Sequence, residues 1–269
     1  MIVAPHMDDE ALACGGLIAR LAEKERVHII YATDGMKSPS PIIPRLDSIS
    51  ADLGEVRVKE SIAAMRYLGI PEENLRFLRL PEARLKRNLP ALTDMLMASI
   101  KVIMPDHIFM PFRYDRHPDH LAINHVLTEA CQQGRFHARL IEYFVYYRWK
   151  LLPKRDIRAY IKPECLIEID VEEVSKQKRM ALDFFKSQTT RYYSWQTRPI
   201  LTPRLLDEES RNPEYFLVHD HALPGIAVFT KSKQWIRLTH RSEPFLKKWK
   251  YLVGAFTKRV FQEFTGHEA

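Results

Sequence analysis

Cysteine is scarce in this chain and poorly placed for a structural role: Cys14, Cys131 and Cys165 are the three in 269 residues. Their odd number and wide spacing make no disulfide framework, and there is no Cys-x-x-Cys pair to hold a structural zinc. No apolar run approaches the ~20 residues that a membrane span requires. The opening MIVAPHMDDE carries three acids, whereas a secretory leader needs a basic start and a longer apolar stretch. A soluble, cytoplasmic protein is therefore expected. Cys14-Gly15-Gly16 lacks the third glycine and the spacing of a dinucleotide fingerprint, and no serine sits in a nucleophile elbow. Internal repeats, low-complexity tracts and clear linkers are also missing.

What is present is an ordinary globular composition. Hydrophobic residues make up 46% and charged residues 28%, which excludes a disordered chain, and the length suits one domain with a large core. Short apolar runs alternate with helical periodicity over the first two thirds, the sequence form of an α/β sheet. Strands are expected at residues 2–4, 27–33 (VHIIYAT), 75–78, 106–110, 141–146 and 165–170, with a weaker one at 226–229. Helices are expected at 11–24, 55–68, 90–101, 119–133, 174–185 and 243–264. Pro44 closes a Ser/Pro-rich loop that starts at Ser38.

The net charge is +7, and its distribution matters more than its sum. From Lys231 to Arg259 nine Lys/Arg face a single acid, Glu243. Phe245, Trp249, Leu252, Phe256 and Val260 recur there at helical spacing among lysines. That favours a peripheral helix packing its stripe on the core with the lysines in water. The same segment can also be read as an interfacial helix making weak contact with an anionic membrane or a lipid carrier. No nucleic-acid partner is expected, because no recognised motif accompanies the basic segment.

Two short segments carry chemistry. His6-Met7-Asp8-Asp9-Glu10 follows the first strand, and His117-Pro118-Asp119-His120 follows the strand ending near Met110. Both sit where ligand sites form in open α/β sheets, beyond the carboxyl ends of strands. A catalytic zinc wants about three N or O ligands and one position left for water; His6, Asp9 and His120 can supply them. Asp8 then stands beside the ligands as a proton acceptor. His117, oriented by Asp119, can polarise a carbonyl or protonate a leaving amine. Helix capping accounts for Asp8, Asp9, Pro118 and Asp119 taken one at a time. It accounts for none of His6, His117 or His120.

In these residues the sequence resembles the PIG-L/LmbE-like N-deacetylases, marked by (P/A)-H-P-D-D-E and a distant H-x-D-H. PHMDDE stands at 5–10 and DRHPDH at 115–120. Between them Arg57, Glu60, Ala64 and Leu68-Gly69 resemble the family's R-x-x-E…A…LG helix, and FLRLP at 77–81 its F-L-x-L-P strand. Lys178, Ala181-Leu182 and Ser187-Gln188 are similar to its K…A-L…S-Q segment. The resemblance covers roughly residues 1–190, the expected deacetylase core, with 191–269 as the C-terminal part of the same domain. Met7 departs from the family's usual proline without removing a ligand.

The resemblance implies a single Rossmann-like domain, a mostly parallel sheet with helices on both faces and a C-terminal helical elaboration. It implies zinc (Zn2+) on His6, Asp9 and His120, Asp8 as general base, His117 with the supporting carboxylate Asp119, and Arg57 at the substrate pocket. A surface salt bridge from Arg57 to Glu60 is the competing expectation. The implied activity is removal of the acetyl group from an N-acetylglucosamine-type sugar conjugate. Two alternatives stay open: hydration of a small unsaturated dicarboxylic acid at the same metal, and a non-catalytic membrane- or glycan-associated protein. His219 and His221 are candidates for the rim of the site.

Overall fold

Alternate residues of the first two strands face opposite helical layers, and both faces are apolar. The computed structural model describes residues 1–40, 52–145, 147, 154–218, 229–230, 236, 238 and 242. In β1 (Ile2–Ala4) and β2 (Ile29–Thr33), Ile2, Ala4, Ile29 and Tyr31 join one hydrophobic cluster, while Val3, Ile30 and Ala32 join another. Strands that are apolar on both sides need helices on both sides. Helices α1 (Asp9–Leu21) and α2 (Leu53–Tyr67) cover the first face with Leu17, Ile18, Val58 and Met65. The second face is covered by α3 (Leu89–Ile103) and α4 (Pro118–Gln132), through Leu92, Leu96, Ile123 and Leu127.

With β3 (Leu75–Leu80), β4 (His107–Pro111) and β5 (Arg139–Tyr143), the parallel part of the sheet runs β3-β2-β1-β4-β5. The chain builds outward from β1 to one edge, then returns to the other side of β1 with β4. Ile2 is accordingly registered with Ile29 on one side and with Phe109 on the other. The order reverses between β1 and β4, and a ligand crevice opens at the carboxyl ends of strands at such a point. Both chemistry-bearing segments leave the sheet there.

Beyond β5 the expectations hold less well. The strand expected at 165–170 is β6 (Leu166–Ile169). The helix expected at 174–185 is shorter, α5 (Ser175–Asp183), followed by a separate turn of helix, α6 (Lys186–Thr189). Two elements were not expected: α7 (Pro203–Arg211), capped by the Thr202 hydroxyl, and β7 (Glu214–Val218). Strand β7 lies between β5 and β6 and runs antiparallel to both, completing seven strands in the order β3-β2-β1-β4-β5-β7-β6. Of the strand expected at 226–229, Phe229 is described, bridged to Ile161. The basic helix expected at 243–264, and His219 and His221, lie outside the described residues. Among the described residues no helix is long and apolar enough to cross a membrane.

Gly15-Gly16 finds its reason in packing. The Glu214 carboxylate, buried at the start of β7, accepts from the Gly16 N–H (2.6 Å) and the Leu17 N–H (2.9 Å), and pairs with Lys178 Nζ at 2.8 Å. That draws α1 so close that a Cβ on Gly16 would sit 2.3 Å from Val171 Cγ1. Val171 is fully buried and β-branched, so it has nowhere to turn. Gly16→Ala is therefore expected to cost about 1–3 kcal/mol by overpacking. Urea unfolding measures it, and an unchanged midpoint would show that α1 and the segment carrying Val171 can part without cost.

Candidate metal and catalytic site

The turn from β1 into α1 is short and strained. Pro5 is tied to β2, its carbonyl accepting from the Thr33 N–H (3.1 Å) and Oγ1 (2.8 Å). Three residues later Asp8 has φ 137°, a conformation that L-residues rarely adopt. The turn is held from beneath by Arg57, whose side chain is 1% exposed. Its Nη2 donates to the Met7 carbonyl at 2.7 Å and lies 3.6 Å from Asp8 Oδ1; its Nη1 lies 3.7 Å from Glu82 Oε2. Gly35 makes room: its φ is +68°, and a Cβ there would meet Met7 Cε at 2.4 Å. From the other side the Asp8 N–H donates to Glu10 Oε2 (3.1 Å).

On this turn and on α4, three side-chain atoms converge. His6 Nδ1 is 3.1 Å from Asp9 Oδ2, His120 Nε2 is 3.2 Å from the same oxygen, and the two ring nitrogens are 3.3 Å apart. Ligand atoms ~2.0–2.1 Å from a tetrahedral ion lie about 3.3–3.4 Å apart along each edge, so this triangle has the size of one face of a zinc site. His6, Asp9 and His120 are all buried. The ring nitrogens of His6, His117 and His120 form a looser group, all within 4.8 Å of one another.

The electrostatics favour positive charge at the triangle. Burial opposes a charged His6, yet hydrogen bonds to Asp119 and Asp9 hold its pKa up at about 9. His120 is likewise raised against burial, by Asp115 and Asp9. Burial works to raise Asp9, but His120 and His6 hold its pKa well below the usual carboxylate range. Asp8 stands apart: burial raises its pKa to about 7, opposed by Arg57 and reinforced by Asp9. Burial together with the charge on His6 and His120 lowers the pKa of His117 to about 3, leaving it a neutral imidazole.

His117 caps α4. Its Nδ1 accepts from the Asp119 N–H at 3.3 Å, so the ring proton resides on Nε2, and the side chain is 30% exposed. The Asp119 carboxylate, expected to support His117, lies 3.9 Å from His117 Nδ1 and nearer, at 3.3 Å, to His6 Nε2. The reason is the loop after β3, where the N–H groups of Ala83 (2.6 Å) and Leu85 (3.1 Å) hold both carboxylate oxygens over His6. The competing expectation for Arg57 fails, because Glu60 instead accepts from the Ser187 N–H and hydroxyl. Two acids were missed. Asp115 Oδ2 lies 3.2 Å from His120 Nδ1, and Glu82 faces Arg57. Asp115 stood within DRHPDH but carried no assigned role; nothing in the sequence marks Glu82.

Comparison with known proteins agrees with this picture. Residues 1–131 match the family described as PIG-L: GlcNAc-PI de-N-acetylase. The fold is similar to that of the A40926 pseudoaglycone deacetylase Dbv21, at 21% identity and TM-score 0.59, over 83% of this chain and 98% of that one. It is similar to N,N'-diacetylchitobiose deacetylase from Pyrococcus horikoshii, at 19% identity and TM-score 0.57, over 81% and 82%. It also resembles GalB, the 4-carboxy-2-hydroxymuconate hydratase of Pseudomonas putida KT2440, at 18% identity and TM-score 0.53, over 78% and 81%. At these identities the structural likenesses speak for the fold.

Proposed function

We propose, from the premise that the chain belongs to the PIG-L/LmbE-like deacetylase family, that it is a zinc-dependent hydrolase removing the acetyl group from an N-acetylglucosamine-type sugar conjugate. One observation carries the reading: the 3.1–3.3 Å triangle of His6 Nδ1, Asp9 Oδ2 and His120 Nε2, with Asp8 next in sequence and the His117 ring 4.5 Å from that of His6. Two imidazoles and a carboxylate suit zinc, and they leave a coordination position open. This triangle is preferred over the three-histidine group because it is smaller and buried, whereas His117 is partly exposed and capping a helix.

A zinc ion bound there supplies a Lewis acid that polarises an amide carbonyl and lowers the pKa of its water. The chain's own residues do the rest. The Asp8 carboxylate takes a proton from water as that water's oxygen bonds to the acetyl carbon. His117 presents Nε2–H as a hydrogen-bond donor to the carbonyl oxygen, and the proton that Asp8 took passes to the nitrogen that leaves. When the C–N bond breaks, the products are acetate and a free amine. Arg57 keeps the Asp8 turn in place from beneath.

A second reading keeps the site and changes the reaction to hydration of an unsaturated dicarboxylic acid, supported by the likeness to the hydratase. Such a substrate carries two negative charges. Arg57 and Arg113 lie on the ligand-bearing side of the sheet, and both are neutralised by buried carboxylates, Arg113 by Glu142 at 2.6 Å. That favours the deacetylase. The test is acetate release from N-acetylglucosamine derivatives by zinc-loaded protein, run beside a hydration assay on an unsaturated dicarboxylate. Release of acetate that stops on chelation is expected. Hydration without acetate release from any N-acetyl sugar would overturn the proposal.

A further inference from the structure

A histidine can bind a metal through either ring nitrogen, and the hydrogen bond made by the other nitrogen decides which. In this site the two candidate ligands are turned opposite ways, and each has its own carboxylate behind it. His6 points Nδ1 into the triangle and Nε2 at Asp119 Oδ2, 3.3 Å away. His120 points Nε2 into the triangle and Nδ1 at Asp115 Oδ2, 3.2 Å away. Both carboxylates are anchored independently of the rings. Asp119 is fully buried and held by the Ala83 and Leu85 N–H groups. Asp115 is 1% exposed, with its other oxygen held by the Arg116 and His117 N–H groups.

We propose that Asp119 and Asp115 are positioning residues for the metal site, one for each histidine, and that they set His6 to coordinate through Nδ1 and His120 through Nε2. The inference rests on the metal-site reading above. A carboxylate accepts only, so the proton of each ring is drawn to the nitrogen facing it, Nε2 in His6 and Nδ1 in His120. The lone pair on the other nitrogen is then aimed at the ion before the ion arrives. Asp119 binds three separate segments together in doing this: the loop after β3, the turn after β1 and the first turn of α4. Its backbone N–H meanwhile fixes the tautomer of His117, so one residue sets two rings.

The test uses the full chain stripped of metal, titrated with Zn2+ against a chromophoric chelator below the unfolding temperature of each variant. Asp119→Asn and Asp115→Asn should each weaken zinc binding by about 10–100-fold. Long-range 15N–1H spectra of the zinc-loaded unmodified protein should show one histidine bound through Nδ1 and another through Nε2. In Asp119→Asn the Nδ1 signature should be the one that is lost. Should Asp119→Asn fail to fold, Asp115→Asn carries the test on the Nε2 ligand. Affinities within twofold of the unmodified protein in folded variants, or the same nitrogen used by both histidines, would overturn the inference and leave the metal site standing. An unmodified protein that binds no divalent ion would overturn the metal-site reading and this inference together.

Discussion

Asp8→Asn is expected to keep its metal and to lose about 10²–10⁴-fold in turnover, the usual cost of removing a general base. Asparagine is nearly the same size, and it tolerates the positive-φ backbone at position 8 better than most residues. The turn should therefore persist, with the Arg57–Met7 hydrogen bond beneath it unchanged. What is removed is a carboxylate that burial lifts to a pKa of about 7. Bound ion would lower that value, which is why the variant and not the pH profile is the cleaner measurement. Zinc content and acetate release are to be read on the same sample. If zinc is lost along with activity, Asp8 is a ligand and the roles of Asp8 and Asp9 must be exchanged.

Arg57→Met is expected to lower stability by about 3–5 kcal/mol, as removal of one partner from a buried ion pair does. Arg57 lies between Asp8 and Glu82 with almost no exposure, and its loss takes a buried counter-charge from both carboxylates. Against a total of about 5–15 kcal/mol for a typical domain, that is a large fraction. Arg57→Lys, which keeps the charge, should recover part of the stability, yet one ammonium cannot reach all of these partners from the same place. The sequence-based expectation was that Arg57 meets substrate. That view requires the opposite result: unfolding in urea unchanged within about 1 kcal/mol, with KM raised and kcat kept.

Arg57 also shows why some of the site could not be read in advance. Val58, Ile62, Met65 and Leu68 mark an apolar stripe on α2, and Arg57 reads as lying beside it. Val58, Met65 and Leu68 are buried as that stripe requires and Ile62 is partly covered, but the buried face also takes in Leu53, Gly54, Arg57, Ser61 and Ala64. The small residues Gly54, Ser61 and Ala64 share that face with the large apolar ones, and hydrophobic periodicity passes over them. Strand β7 was missed for a related reason. Five residues, EYFLV, carry too short an alternation to stand out, and their place between β5 and β6 is settled by pairing with strands far away in the chain. Four of the five parallel strands, β1 to β4, were legible because each is followed by a long periodic helix, and β5 because it comes after one.

His6, Asp9 and His120 as candidate ligands, with Asp8 and His117 beside them, were determined by the sequence alone. Their residue types are unusual together, and each set lies within a few positions at the end of a strand, so local chain geometry delivers it to one crevice. The tertiary structure decided how the carboxylates are shared. Asp119 is two residues from His117 and 113 from His6, yet its carboxylate belongs to His6. Asp115, five residues from His120, lies 3.2 Å from that ring's Nδ1. Proximity along a chain bounds what two side chains can reach, but a hydrogen bond needs a separation near 3 Å and a direction. Those are fixed by the loop after β3 and the register of α4 against it, which no spacing in the sequence encodes.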